Sequence, residues 1–214
     1  MPTASDASFS YAAELRRKAL HLLALVLPLG MWVLGSPGSE YLLGGGAAIA
    51  VAADCTRAYV PAFNDWIRYF FGSMMRADEL PAVGTGVTFN GATCVMVGAF
   101  LMTLLFPIRL AAPLLAMTML ADAAAALVGR RWGRHPWGPL SATVEGSTAF
   151  VVTGLLVIWA VPGLPFVPAT LAVITAAITE VLPLPINDNI RVPIAAGLVM
   201  VGAEALWMSP PPVP

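Results

Sequence analysis

Residues 108–128 read IRLAAPLLAMTMLADAAAALV, an apolar run with one acid, Asp122, inside it. A transmembrane helix needs roughly 20 mostly apolar residues, so this run is long enough to cross a bilayer. A charged side chain inside such a segment is costly, and it is a candidate for function by default. The stretch therefore indicates a membrane protein with a polar site between its helices.

The composition of the whole chain agrees with this interpretation. Of its 214 residues, 58% are hydrophobic and only 11% are charged, and the mean hydropathy is +0.81. A soluble domain carries about 25% charged residues. The net charge of -1 produces no field that would attract nucleic acid, so we expect no nucleic-acid partner.

Further apolar segments flank the run, and glycine and proline mark most of the junctions. These apolar segments predict an all-α fold, a polytopic bundle of about seven transmembrane helices. We expect the whole chain, residues 1–214, to form a single integral membrane domain. The predicted spans are residues 18–35, 42–60, 89–106, 108–128, 147–162, 166–183 and 192–208.

The placement of Lys and Arg predicts the orientation of this bundle. With the N-terminus inside, ten of the 11 Lys and Arg residues fall on one side of the membrane, and only Arg109 falls on the other. The side rich in positive charge is normally cytoplasmic. We therefore expect the N-terminus and the active site to face the cytoplasm, at the inner or plasma membrane if the protein is bacterial.

Four acids lie within the predicted spans or at their ends: Asp54, Asp122, Glu180 and Glu204. The first three lie near cytoplasmic ends, so we treat them as candidates for function. Glu204 lies toward the opposite side, where we expect it to reach the interface or to pair locally.

Small residues recur every four positions beside Asp122, at Ala121, Ala125 and Gly129. This pattern predicts close packing of that helix face against a neighbouring helix. The arginines that follow could pair with Asp122, anchor the helix at lipid headgroups or neutralise an anion; they are Arg130, Arg131 and Arg134.

The segment SATVEGS (residues 141–147) leads into the next span. Thr143 or Ser147 could cap the start of that helix, where free N–H groups also attract anions. Glu145 could hold a divalent metal that bridges phosphates, although acids also favour helix starts for electrostatic reasons alone.

The segment LPLPINDNIRVP (residues 182–193) joins the last two spans. Asn187, Asp188 and Asn189 form either a plain turn or a set of ligands for a metal or a phosphate; if they have the second role, we expect a polar hinge between the two spans. Irregular backbone at membrane depth is tolerated where it lines a cavity.

Five segments in this order resemble a known family: ELRRKALH (14–21), MMRADELPAVGTGVTF (74–89), ADAAAALVGRRWGRH (121–135), SATVEGSTAF (141–150) and TEVLPLPINDNIRVP (179–193). Together they resemble the CTP-dependent polyprenol kinase group, which includes dolichol kinase, phytol kinase and fungal diacylglycerol kinase. The resemblance covers about residues 14–200. It implies a magnesium-dependent phosphotransferase that passes the γ-phosphate of CTP to the hydroxyl group of a membrane-embedded isoprenoid alcohol or diacylglycerol.

The resemblance also implies roles for individual residues. Asp122, Glu145 and Asp188 would hold Mg²⁺, which typically binds one or two carboxylates plus substrate phosphates. The alcohol proton would pass to Glu180 or His21, between which the sequence does not decide. Residues that would contact the nucleotide or orient ligands are Arg17, Lys18, Arg130, Arg131, Arg134, Thr143, Ser147, Asn187 and Asn189.

The chain departs from the family pattern at one position. A lysine is usual just before the TxEGS or SxEGS segment, and here that residue is Ala142. The choice between CTP and another nucleoside triphosphate therefore stays open. The sequence indicates neither which lipid alcohol is used nor an oligomeric state.

The sequence leaves two alternatives open. CDP-diacylglycerol synthases also have an Asp-containing helix, a GRxxG turn and a TxEG segment, and they transfer a cytidylyl group to phosphatidate; the PINDN segment favours the kinase. A transporter or non-catalytic membrane protein could also contain acids within the membrane. Such a protein would place polar residues on both sides, whereas here they cluster on one.

Overall fold

The computed structural model describes residues 22–75, 79–138, 140 and 142–208. The helices are α1 (Val26–Tyr59), α2 (Pro61–Phe71), α3 (Gly91–Leu105), α4 (Ile108–Trp132), α5 (Val144–Trp159), α6 (Phe166–Val181) and α7 (Asp188–Met208), with a 3-10 turn at Gly72–Met74. The all-α prediction is confirmed for these ranges. Arg17, Lys18 and His21 lie outside the described residues.

Two of the helices, Ile108–Trp132 and Asp188–Trp207, are long and apolar enough to cross a membrane. Helices α3, α5 and α6 are apolar but shorter, with 15, 16 and 16 residues. The predicted limits of α3 and α6 agree with the observed helices within two residues, whereas α4 continues beyond residue 128 to Trp132. The count of seven spans stays a prediction.

The first two predicted spans are joined within α1. Gly35 (φ 59, ψ -167) and Ser36 (φ -94, ψ 140) interrupt the helix at the predicted junction. Glycine adopts a positive φ without the steric cost that a side chain would bring. Pro37 then begins the resumed helix, a position where its missing N–H is not needed. The loop expected over residues 36–41 is thereby reduced to this short break.

Helix α4 lies at the centre of the core and packs most extensively against α5. Its buried side chains include Leu114 and Met117, which belong to one cluster with Phe150 of α5, Val173 of α6 and Met200 of α7. Within this core α4 packs against α5 and α1 and, less extensively, against α7 and α3, whereas α6 packs mainly against α7 and α5.

Small residues allow α4 and α5 to approach closely. A Cβ atom at Gly146 of α5 would lie 3.0 Å from the main-chain oxygen of Ala125 and 3.4 Å from the Cα atom of Gly129. The close packing predicted for the Ala121, Ala125 and Gly129 face is confirmed. This contact brings the start of α5 against the second half of α4.

An ion pair joins the start of α4 to the end of α7. Arg109 donates two hydrogen bonds to the carboxylate of Glu204, at 2.9 and 3.0 Å. Of the two expectations for Glu204, an interface position or a pairing, the structure shows a pairing, and its partner lies 95 residues away along the chain. Because the two helices are antiparallel, the start of α7 lies toward the other end of the bundle, near the second half of α4.

Candidate active site

A small cavity lies between α4, α6 and α7. Three acids and one amide face it: Asp122 of α4, Glu180 of α6, and Asp188 and Asn189 of α7. Its volume is about 20 Å³, which is room for roughly one water molecule. The remaining wall is formed by Val95, Leu115, Thr118, Met119, Phe150, Val192 and Pro193.

The surroundings of these acids favour binding of a cation. Most of the other lining side chains are apolar, and attraction between opposite charges is stronger where the effective dielectric constant is low. Asp122 and Glu180 also have polar or electrostatic partners within the protein. The cavity therefore combines negative charge with space for a ligand the size of a water molecule.

Asp188 reaches the cavity because α7 begins at this residue. The Oδ1 atom of Asn187 accepts a hydrogen bond from the Asn189 N–H group at 3.0 Å, and its main-chain oxygen accepts one from the Ile190 N–H group at 3.0 Å. Asparagine is among the best residues for capping a helix start, which explains this local fold. The predicted hinge is therefore displaced: Asp188 and Asn189 belong to α7, and the non-helical link is residues 182–187.

Glu145 is not among the residues that line this cavity. Its Oε1 atom lies 2.6 Å from Nδ1 of His135, and its Oε2 atom accepts a hydrogen bond from the His135 N–H group at 3.3 Å. The hydrogen bond from the imidazole lowers the pKa of Glu145 to about 2. The pair lies at the start of α5, where the α4–α5 loop returns, and the His135 side chain is 75% exposed.

The predicted metal ligands are thus partly brought together. Asp122 and Asp188 line one cavity, Glu145 lies elsewhere, and Glu180 is the third acid at the cavity. Within the ranges that the structure covers, no group of three or more His, Cys, Asp or Glu side chains is placed to hold a metal ion by itself. The identity of the ligands stays a prediction.

The predicted nucleotide-binding arginines lie at the end of α4. Arg130 and Arg131 occupy its last turn, Arg134 follows two residues after it, and all three are exposed. Positive charge is favourable at the carboxyl end of a helix for electrostatic reasons alone. Their exposure leaves them accessible to an anion from the aqueous side.

The two hydroxyl groups predicted at the start of α5 have structural roles there. Thr143 Oγ1 accepts a hydrogen bond from the Gly146 N–H group at 3.1 Å, which confirms the predicted cap. Ser147 Oγ accepts a hydrogen bond from Nε1 of Trp137 at 3.0 Å. Both bonds tie the α4–α5 loop to α5.

Asp54 belongs to a separate buried network. Its carboxylate accepts hydrogen bonds from Nε of Arg57 at 2.6 Å and from the main-chain and side-chain N–H groups of Asn90, both at 2.9 Å. Arg57 also donates to the main-chain oxygens of Glu79 at 2.9 Å and Thr88 at 2.7 Å. The network fastens α1 to the start of α3, which explains this buried acid without a ligand.

Two residues near the predicted site had no role in the sequence interpretation. His135 holds Glu145, as described, and Arg191 donates a hydrogen bond from Nη2 to the main-chain oxygen of Glu180 at 3.3 Å. Arg191 follows Asp188 by three residues, a spacing that places both on neighbouring positions of one helix face. That spacing is the sequence signal that could have indicated Arg191.

The fold and the cavity define a class of protein. The described chain is α-helical, two of its helices are long and apolar enough to cross a membrane, and acids from three helices line one cavity. These are features of a membrane protein with a polar site inside its helix bundle.

Comparison with known proteins narrows this class. The chain is 28% identical over 207 residues to a phytol kinase from Synechocystis sp., and the alignment covers 92% of this chain and 82% of that protein. It is 27% identical over 150 residues to CTP-dependent diacylglycerol kinase 1 of Schizosaccharomyces pombe, with 66% of this chain and 64% of that protein covered. No protein-family model matches the chain, and no solved structure matches it at a significant level.

Both relatives are of the kinds that the CTP-dependent polyprenol kinase group contains, so the resemblance indicated by the motifs is confirmed. They support a phosphotransferase that acts on a lipid alcohol and uses a nucleotide. Together with the two apolar helices, they indicate a membrane protein.

Proposed function

We propose that this protein is a lipid alcohol kinase, which transfers the γ-phosphate of CTP, or of another nucleoside triphosphate, to the hydroxyl group of a membrane-embedded alcohol. The observation that carries the proposal is the meeting of Asp122, Glu180 and Asp188 at one cavity. These acids come from three helices and from two separate motif segments of the kinase family. Acids within membrane helices are costly, so their convergence is best explained by a ligand of positive charge.

The chemistry of these side chains fits Mg²⁺. Carboxylate oxygens are the ligands that this ion uses, and it commonly binds one or two of them together with substrate phosphates and water. A complete cage of protein ligands is therefore not required. Asp122 and Asp188 would hold the ion, which would neutralise charge on the β- and γ-phosphates when bound. Glu145 could bind the same ion only if its carboxylate turned away from His135.

The chain's own residues would position the two substrates. Phosphoryl transfer depends mainly on in-line placement and on stabilisation of charge. The residues that would neutralise or orient the triphosphate are Arg17, Lys18, Arg130, Arg131, Arg134, Asn187 and Asn189.

The transfer itself exchanges one bond for another. The alcohol oxygen bonds to the γ-phosphorus, the bond from that phosphorus to the β–γ bridging oxygen breaks, and the nucleoside diphosphate leaves with this oxygen. Glu180 would accept the alcohol proton, because its side chain faces the cavity. His21, the other candidate base, lies outside the described residues.

The two relatives give the classes of lipid to consider. One is named for phytol, an isoprenoid alcohol, and the other for diacylglycerol. We favour an isoprenoid alcohol because the alignment with the phytol kinase covers 92% of this chain, compared with 66% for the diacylglycerol kinase.

The proposal places the cavity on the cytoplasmic side of a bundle with seven spans. Asp188 at one end of α7 and Glu204 near the other are separated by about 24 Å at 1.5 Å per residue, which approaches the roughly 30 Å thickness of the hydrocarbon core. Glu204 binds Arg109, the residue predicted to be the basic exception on the outer side. The acid cavity and this pair therefore lie toward opposite membrane faces.

The direct test is phosphate transfer by the purified full chain in detergent with Mg²⁺. CTP and ATP labelled at the γ-position are offered with phytol, farnesol, a polyprenol or diacylglycerol. Label in the lipid product supports the kinase. Transfer of label from the α-position of CTP to phosphatidate, with release of pyrophosphate, would instead identify a cytidylyltransferase.

Matched variants test the site. Asp122→Asn and Asp188→Asn should each abolish turnover, and Glu180→Gln should lower kcat. Asp65→Asn removes an exposed acid from α2 and should leave turnover unchanged. Full activity of the Asp122 and Asp188 variants would show that the metal and phosphates bind elsewhere.

A further inference from the structure

The guanidinium group of Arg191 lies across the carboxyl end of α6. Its Nη1 atom donates a hydrogen bond to the main-chain oxygen of Thr179, and its Nη2 atom donates one to the main-chain oxygen of Glu180 at 3.3 Å. The last carbonyl groups of a helix have no partner within that helix. A cationic donor at this position satisfies them and also interacts favourably with the helix dipole.

Arg191 is at the same time fixed to the start of α7. The main-chain N–H group of Arg191 donates a hydrogen bond to the main-chain oxygen of Asn187 at 3.1 Å. Asp188 lies three residues earlier in the same first turn. One side chain therefore connects the turn that carries Asp188 directly to the end of the helix that carries Glu180.

The link between these helices offers little restraint of its own. Residues 182–187 are non-helical, and Pro183 and Pro185 within them have no N–H group to donate. The one hydrogen bond between main-chain groups of this segment joins the Leu184 N–H group to the Leu182 oxygen at 2.9 Å. The relative position of α6 and α7 at the cavity must therefore be set by contacts outside the link.

We propose that Arg191 is the positioning residue that holds Glu180 and Asp188 together at the cavity. What the two acids do there rests on the proposed function, but the positioning role does not. Arg191 is itself not a lining residue of the cavity. It acts through the ends of two helices, by fixing the backbone from which both carboxylates extend.

Two variants and a control test this role in the full-length protein. Arg191→Met removes both hydrogen bonds to α6, and Arg191→Lys keeps the charge but cannot reproduce the planar fork that bridges two acceptors. Arg68→Met removes an exposed arginine from α2 and serves as the control. All three are compared with the wild type by amide hydrogen exchange, Mn²⁺ binding and steady-state kinetics.

We expect exchange of the amides in residues 178–192 to rise in Arg191→Met, to rise less in Arg191→Lys and to be unchanged in Arg68→Met. Loss of residues that orient metal ligands typically costs about 10- to 100-fold in metal affinity or activity. We therefore expect Arg191→Met to lower kcat and Mn²⁺ affinity by about that factor, with the KM for nucleotide changed less than about twofold. Arg191→Lys should recover part of the loss.

Other outcomes separate the two proposals. A large rise in the KM for nucleotide with unchanged amide exchange would show that Arg191 binds phosphate directly, and the positioning role would be refuted. Unchanged exchange and unchanged Mn²⁺ affinity would refute it as well. If the wild type phosphorylates no lipid, yet Arg191→Met still raises exchange and weakens Mn²⁺ binding, the positioning role stands and the kinase proposal falls.

Discussion

Replacing Gly98 by alanine should both destabilise the protein and impair its site. Gly98 lies on α3, where the first turn of α7 passes directly over it. A Cβ atom at this position would collide with the main-chain oxygen of Asn189 and would lie 3.2 Å from its carbonyl carbon. Because the obstacle is backbone, it cannot rotate away as a side chain would, so α7 itself must move.

The expected magnitude follows from two opposing terms. Alanine in a helix interior is favoured over glycine by about 1 kcal/mol, and this gain applies at any helical glycine. Overpacking a well-packed contact costs about 1–3 kcal/mol, and this cost applies only where the methyl group meets an obstacle. Gly45 on α1 provides the matched control, since a Cβ there would meet nothing within 4 Å. The free energies of unfolding of the two variants should therefore differ by about 1–3 kcal/mol.

Thermal unfolding in detergent, followed by circular dichroism, measures this difference. For a chain of this size about 1 kcal/mol shifts Tm by roughly 2–4 °C, so Gly98→Ala should unfold roughly 2–12 °C below Gly45→Ala. Displacement of Asn189 also moves Asp188, and errors of about 1 Å in a catalytic site can cost about 100-fold in rate. Equal Tm and equal turnover in the two variants would refute the claim that this contact fixes the start of α7.

Three further results are expected. Asp54→Ala leaves the guanidinium group of Arg57 buried without its carboxylate and should lower the free energy of unfolding by about 3–5 kcal/mol, measured by denaturant titration; a loss below about 1 kcal/mol would contradict the network's structural role. The pKa of Glu145, lowered to about 2 from its ordinary 4.5 by the His135 hydrogen bond, should rise toward 4.5 in His135→Ala, as followed by carbon NMR. Because the folded-state pKa is depressed, the contribution of the Glu145–His135 pair to stability is complete above pH 4.5 and is lost as the pH falls toward about 2. If the titration midpoint of Glu145 is unchanged in His135→Ala, the His135 hydrogen bond is not what lowers its pKa. Ala142→Lys should lower the KM for nucleotide through a new positive charge beside the start of α5, and an unchanged KM would indicate that the triphosphate binds away from this loop.

The apolar runs predicted much of the fold because helix length and hydropathy are local properties of the chain. Pro107 and Pro165 immediately precede α4 and α6, as expected from the prolines at the predicted junctions between spans. The limits at α7 were less predictable. The cap formed by Asn187 starts that helix before residue 192, the predicted beginning of the span, and a capping hydrogen bond leaves no trace in hydropathy.

The site was predictable only as far as single residues reveal it. The cost of an acid among apolar residues indicated Asp122 and Glu180, and the motif resemblance indicated Asp188. The partner of Glu145 was not predictable, because His135 reaches it across a loop that turns at Gly138 with a φ of 56°. The direction of a side chain across such a loop depends on tertiary geometry that spacing does not encode.

The acids of this chain show why burial alone is a poor guide to function: the buried Asp54 has a structural role, whereas the acids at the cavity are only half-buried. Asp54 is 1% exposed, and its carboxylate already accepts three hydrogen bonds from Arg57 and Asn90. A cation could bind there only by displacing donors that also hold α1 to α3. Asp122, Glu180 and Asp188 instead line a space that one water-sized ligand can enter. What separates Asp54 from these three acids is therefore room for a ligand: the space beside Asp54 does not admit a water molecule, and hydropathy along the sequence cannot report such a space.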